Sequence, residues 1–150
     1  MNSLILLVGL SEDQIKQIPG NILGIRRTHN QFELAALYEL ADVVTSLSKS
    51  ESMGMTPIEG MACGTPAIVY DNTAQPELVT AETGLVVETG NISEVRNAII
   101  KVCQRGKNYY AAACRKRALD YFANEHNYGS YLELYNYLLK IENNGDKRNN

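Results

Sequence analysis

Leu4-Ile5-Leu6-Leu7-Val8 is apolar at five consecutive positions and is closed by Gly9. A strand that is wet on one side alternates polar and apolar residues. One that is apolar throughout is covered on both faces, as in a parallel sheet flanked by helices. Ala67-Ile68-Val69-Tyr70 repeats the pattern, and residues 21–25, 42–45 and 84–87 supply three more short strand candidates. Helical stretches lie between them. Ser11, followed by Glu12 and Asp13, opens one that Pro19-Gly20 stops. Asn30 caps another over 31–41, in which Leu34, Leu37, Tyr38 and Ala41 recur at the spacing of a buried stripe. A short helix is predicted from Pro57 to just before Gly64-Thr65-Pro66, and after Asn91 the pattern is helical over about 93–105, 108–122 and 128–142. Strands alternating with helices predict an α/β fold, a doubly wound parallel sheet with extra C-terminal helices, over residues 1–142. The polar tail 143–150 has no apolar period and is expected to be disordered.

A chain of 150 residues, 45% hydrophobic and 21% charged, is one ordinary soluble domain. Its net charge of −3 offers no broad basic surface to nucleic acid, so any phosphate recognition must be local. Arg105, Lys107, Arg115, Lys116 and Arg117 cluster on a helical stretch and are expected as a solvated face, with a membrane-surface contact as the alternative. Cys63, Cys103 and Cys114 form no CxxC pair; they are expected as small core residues of a cytoplasmic protein. His29 and His126 have no partner at metal-ligand spacing and are expected as surface or satisfied side chains. Seven of the nine tyrosines fall after residue 108, at helical spacing, as packing residues or an interface to another domain.

Doubly wound sheets bind ligands at the carboxyl ends of their strands, which directs attention to the loops after Ile25, Thr45 and Tyr70. The loop after the third strand reads Ser50-Glu51-Ser52-Met53-Gly54-Met55-Thr56-Pro57-Ile58-Glu59. With Pro57 at the first helical position and Thr56 as its N-cap, the free amides of a helix start would face the crevice as an anion site. Gly54 permits close backbone approach or a positive φ. Glu51 and Glu59 flank the site, and carboxylates accept hydrogen bonds from the vicinal hydroxyls of a ribose or hexose. Blander roles stand beside these. Thr56-Pro57-Ile58-Glu59 is also a capping box, in which Glu59 turns back to the N-cap amide, and Glu51 is also readable as a solvated loop acid.

The run from Glu51 to Glu59 resembles the E-x7-E signature of retaining GT-B glycosyltransferases of group 1, or family 4. Gly60-Met61-Ala62-Cys63-Gly64-Thr65-Pro66-Ala67-Ile68, Leu37-Tyr38 with Ala41-Asp42, Pro76-Glu77 and Gly84-Leu85-Val86-Val87 extend the likeness over about residues 4–141. The resemblance implies a Rossmann-like C-terminal domain that holds a nucleoside diphosphate sugar. Glu59 would bind the ribose, and Glu51 would lie at the donor sugar near the reacting carbon as the catalytic carboxylate. Met53, Gly54, Met55 and Thr56 would hold the sugar and distal phosphate, and Ile25 and Arg26 would border the base. It implies sugar transfer with retention to a glycan or lipid-linked acceptor, no bound metal, and peripheral contact with the inner face of a membrane. It also implies an N-terminal acceptor domain, and a phosphate-neutralising Arg and Lys ahead of Leu4, neither within these residues; alone, the chain is then expected to be inactive. The usual paired glycines are missing from Asp71-Asn72-Thr73-Ala74-Gln75. A non-catalytic Rossmann-like interaction or nucleotide-binding module is the alternative. A dinucleotide-binding domain is disfavoured, since only Gly9 follows the first strand where G-x-G-x-x-G belongs.

Overall fold

The computed structural model describes residues 3–145, without side chains at 124–127 and 141–145. Its elements run β1 Ile5–Val8, α1 Glu12–Gln17, β2 Ile22–Ile25, α2 Gln31–Leu40, β3 Val44–Ser46, α3 Met55–Ala62, β4 Ala67–Tyr70, α4 Gln75–Leu78, β5 Gly84–Val87, α5 Ile92–Arg105, α6 Lys107–Phe122 and α7 Asn124–Gly145. Every strand pairing is parallel. The expected α/β layering is present, but the strands form two hydrogen-bonded sheets rather than one continuous sheet: β1 with β2, and β3-β4-β5 with β4 central. The one-turn α4 was not anticipated. α7 continues through Gly145, so residues 143–145 of the expected tail are helical, and 146–150 lie outside the described residues.

The core surrounds β4. Ala67, Ile68 and Val69 are fully buried, as are Met61 of α3, Val102 of α5 and Cys114 of α6. Cover on both faces thus holds for β4 and fails for β1, where Ile5 is 47% and Val8 40% exposed. The reason is architectural: β1 has a neighbour on one edge only, and α1 buries none of its own residues. The stripe of α2 is half-buried for the same want of cover. Of the seven late tyrosines only Tyr110 reaches the core; those on α7 are exposed, because that helix makes its main contact with α6 alone.

Local capping follows the sequence at α1, at α2 and at α5, where the Asn91 side chain accepts from the Glu94 amide. Ser11 and Gln14 exchange the two bonds of a capping box at α1, and Asn30 accepts from the amides of Phe32 and Glu33 at α2. The basic cluster, by contrast, is not simply a solvated face. Lys107 Nζ donates to the carbonyls of Tyr38 and Glu39 at the end of α2, and Arg117 Nε donates to Leu78 O at 2.7 Å, with a second bond to Glu77 O. These are carbonyls that helix ends leave without partners, and two long cations tie α2 and α4 to α6 by satisfying them. Arg105 lies over the Tyr109 ring, and Lys116 pairs with Asp120 on the surface. All three cysteines are free; burial pushes their thiols up, Cys114 to about 12.

Candidate functional site

β3 ends at Ser46, and α3 begins nine residues later at Met55. Gly54 is the N-cap and sits in the left-handed region at φ +80 and ψ 83, with no side-chain cap. The helix therefore starts two residues before the expected Pro57, and Thr56 is not its cap: glycine makes the turn with its own backbone. Pro57 becomes the third helical residue, still in the first turn where no N–H is needed. The capping box is also overturned. Glu59 Oε2 accepts from the Tyr38 hydroxyl at 2.9 Å, across from α2, and does not return to the cap.

Glu51 is half-buried and held, not a freely solvated loop acid. Its Oε1 accepts from the Ser52 amide at 3.1 Å, and its own amide donates to Thr73 Oγ1 at 3.3 Å. A Cβ at Gly54 would stand 3.3 Å from Glu51 Cγ, so the glycine leaves the space over which the Glu51 side chain lies. Gly54, Glu51 and the first turn of α3 thus form one unit. Met53, Met55 and Thr56 are exposed around it.

The loop lacking paired glycines braces this unit with side chains. Asn72 Nδ2 and Gln75 Nε2 both donate to Ser48 O at 3.0 Å, and Asp71 accepts from the Thr89 amide and hydroxyl. Thr73 has φ +47, alone among the described non-glycine residues in having a positive φ. That conformation costs about 1 kcal/mol or more and persists where surrounding bonds impose it. Asn72, Thr73, Gln75 and Tyr38 were not identified as site residues from sequence. Asp71-Asn72-Thr73 carried a turn signal, whereas Tyr38 read only as part of an apolar stripe.

Burial, and then the hydrogen bond to Glu59, push the Tyr38 phenol up to about 12. Ile25 and Arg26 stand apart. Ile25 O accepts from the amides of Gly9 and Leu10, and Arg26 pairs with Glu12 at 2.5 Å on the surface. No hydrogen bond or ion pair among the described residues joins either to the segment from Glu51 to Glu59. His29 is exposed and pairs with Glu33, whose carboxyl is held below its usual range first by the His29 amide. The His126 side chain lies outside those described. Among the described residues no group of three or more His, Cys, Asp or Glu is placed to hold a metal, and no helix is long and apolar enough to cross a membrane. An open groove of about 420 Å³ lined by Glu39, Cys63, Lys107 and Arg115 sits elsewhere, at the opposite end of α3 from Gly54.

Residues 15–119 match the family described as "Glycosyl transferases group 1". The chain is 34% identical over 114 residues to a D-inositol 3-phosphate glycosyltransferase of Rhodococcus erythropolis, a match spanning 75% of this chain and 26% of that protein. It is 29% identical over 85 residues to a GDP-mannose-dependent alpha-(1-6)-phosphatidylinositol dimannoside mannosyltransferase of Mycobacterium tuberculosis, covering 57% of this chain and 22% of the relative. The chain thus spans roughly a quarter of the length of these curated relatives. Among solved structures, sucrose-phosphate synthase from Thermosynechococcus elongatus superposes on 91% of the chain with a TM-score of 0.78 and 25% identity, using 38% of its own length. The Anabaena protein HepE, solved in complex with UDP, gives 0.73 over 89% of the chain and 41% of its own length at 21% identity, a likeness of fold.

Proposed function

The chain belongs to the group 1 glycosyl transferases, and from that membership we propose that it is the donor-binding part of a transferase that moves a sugar from a nucleoside diphosphate sugar. The observation that carries the proposal is the arrangement around Gly54. A helix start with unpaired amides, a carboxylate folded against it and a second carboxylate fixed by a tyrosine on the preceding helix lie at a strand end. Free first-turn amides and the helix dipole favour a phosphate. Glu59 then accepts from ribose hydroxyls, while Glu51 lies toward the sugar, where a carboxylate offsets the positive charge that develops at an anomeric carbon.

Transfer with retention, a glycan or lipid-linked acceptor, and binding without a resident metal belong to the same proposal, through the resemblance of the Glu51–Glu59 run. So does peripheral contact of the whole protein with a membrane. Acceptor binding is assigned to the further length that the relatives have, so residues 1–150 alone are proposed to bind donor without turnover. The test is a ligand-observed NMR screen of UDP, GDP, ADP and their sugars, in EDTA, against wild type and Glu59→Ala. One nucleotide should bind selectively and lose about tenfold or more in affinity with the substitution, the scale of a hydrogen bond to a charged group. No binding by any of them, or equal binding by both proteins, would sink the proposal.

A further inference from the structure

Glu59 carries two carboxylate oxygens, and the fold uses one. Oε2 is taken by the Tyr38 hydroxyl, and no hydrogen bond to Oε1 is formed among the described residues. Tyr38 belongs to another helix, 21 residues earlier, and that helix end is held from behind. The Tyr38 carbonyl accepts from Thr65 Oγ1 at 2.5 Å and from Lys107 Nζ at 3.3 Å, and Lys107 also bonds the Glu39 carbonyl. Thr65 is fully buried and follows the tight turn at Gly64 (φ +76), so this anchor is part of the core. On the side facing α3, Glu59 accepts from the phenol. A phenylalanine would fill the same half-buried space; what the hydroxyl adds is a fixed orientation for one carboxylate.

We propose that Tyr38 is a positioning residue for nucleotide recognition: it pins Oε2 of Glu59 so that Oε1 is presented to a ribose hydroxyl, and thereby sets the preference for ribonucleotides over deoxyribonucleotides. The proposal rests on the assignment of Glu59 to the ribose. A carboxylate free to rotate must be ordered by the ligand it binds, whereas one already clamped by a neutral donor is not; affinity rises by the ordering avoided. Tyr38 suits the task because a phenol is a neutral donor throughout the physiological range, and burial widens that margin.

The experiment is a calorimetric titration of wild type, Tyr38→Phe, Glu59→Gln and the double variant with UDP, GDP, ADP and their 2′-deoxy and 3′-deoxy counterparts, with melting temperatures measured in parallel. Tyr38→Phe should weaken the ribonucleotide by about three- to tenfold, the scale of one ordinary hydrogen bond because the effect is indirect, and leave a deoxy analogue nearly unchanged. Glu59→Gln should abolish the ribo-to-deoxy ratio, and the double variant should be no worse than Glu59→Gln alone, as coupled residues behave. Equal weakening of both nucleotides by Tyr38→Phe, or an unchanged ratio, would overturn the positioning role and leave the Glu59 assignment intact. A ratio unchanged by Glu59→Gln, or no binding to wild type, would overturn the donor-site assignment and this inference with it.

Discussion

Gly60 is buried on α3 where the helix lies on β3, and an added Cβ there would stand 2.8 Å from Val44 Cγ2 and 3.2 Å from Val44 Cβ. Two effects compete in Gly60→Ala. In a helix interior alanine is favoured over glycine by about 1 kcal/mol, so at an open site the substitution would stabilise. Here the neighbour is a β-branched side chain that is only 8% exposed and stiff about χ1, so it cannot swing away. Forcing a methyl into such a contact costs about 1–3 kcal/mol. The clash wins, with a net destabilisation of about 1 kcal/mol and a fall in melting temperature of about 2–4 °C for a chain of this size. Urea unfolding followed by far-ultraviolet circular dichroism measures it, and Val44→Ala supplies the control. Val44→Ala removes the 2.8 Å contact and leaves only the 3.2 Å approach to Cβ, so in that background the same Gly60→Ala change should cost less, or stabilise by up to about 1 kcal/mol. If Gly60→Ala stabilises the otherwise unaltered protein, α3 is not pressed on β3, and the placement of Glu59 at the strand end loses its support.

Two further outcomes are expected. Gly54→Ala puts a side chain into a left-handed turn, costing about 1–2 kcal/mol, and sets its methyl 3.3 Å from Glu51 Cγ. Nucleotide affinity in the NMR titration should fall, and Gly54→Asn should lose less, since asparagine tolerates that conformation; equal affinity for all three would contradict the role given to the turn. Tyr38 and Cys114 have folded-state values near 12 against 10.0 and 9.0 in the free groups, Cys114 through burial and Tyr38 through burial and then Glu59. Folding holds protons that the unfolded chain releases, so this contribution is fully present below about pH 9 and is lost as pH rises toward 12. Urea midpoints that stay level from about pH 8 to 11 would contradict the burial of those groups.

What could be read without coordinates follows from the range over which each residue acts. β4 and β5 were placed residue for residue, because their apolar runs are bounded by Gly64-Thr65-Pro66 and Gly84. α5 was placed within a residue of its observed start, and Asn91 caps it as a local signal should. The start of α3 was misplaced because Thr56-Pro57 has the composition of a cap and first residue; the positive φ that Gly54 permits is the one it adopts, but glycine alone does not say that the helix begins there. The Tyr38–Glu59 bond joins residues 21 apart, and the Lys107 and Arg117 bonds to carbonyls span about 40 to 69; no window of local periodicity contains them. The same holds for the division into two sheets: the apolar run of β1 states that it wants cover, not whether a neighbour supplies it. Of the candidate site, Glu51, Gly54 and Glu59 were legible as an ordered motif. The pairing of Arg26 with Glu12 was not legible, because it depends on how β2 sits beside α1.

The central claim is that a nucleoside diphosphate binds at the start of α3, and the most direct test is an amide chemical-shift map of the isotope-labelled chain titrated with UDP, GDP and ADP. The largest shifts should fall on Glu51, Gly54, Met55, Thr56 and Glu59, with Tyr38 following through its bond to Glu59. Shifts confined to Glu39, Cys63, Lys107 and Arg115 would move the ligand to the groove at the other end of α3, and the donor site described above would be wrong.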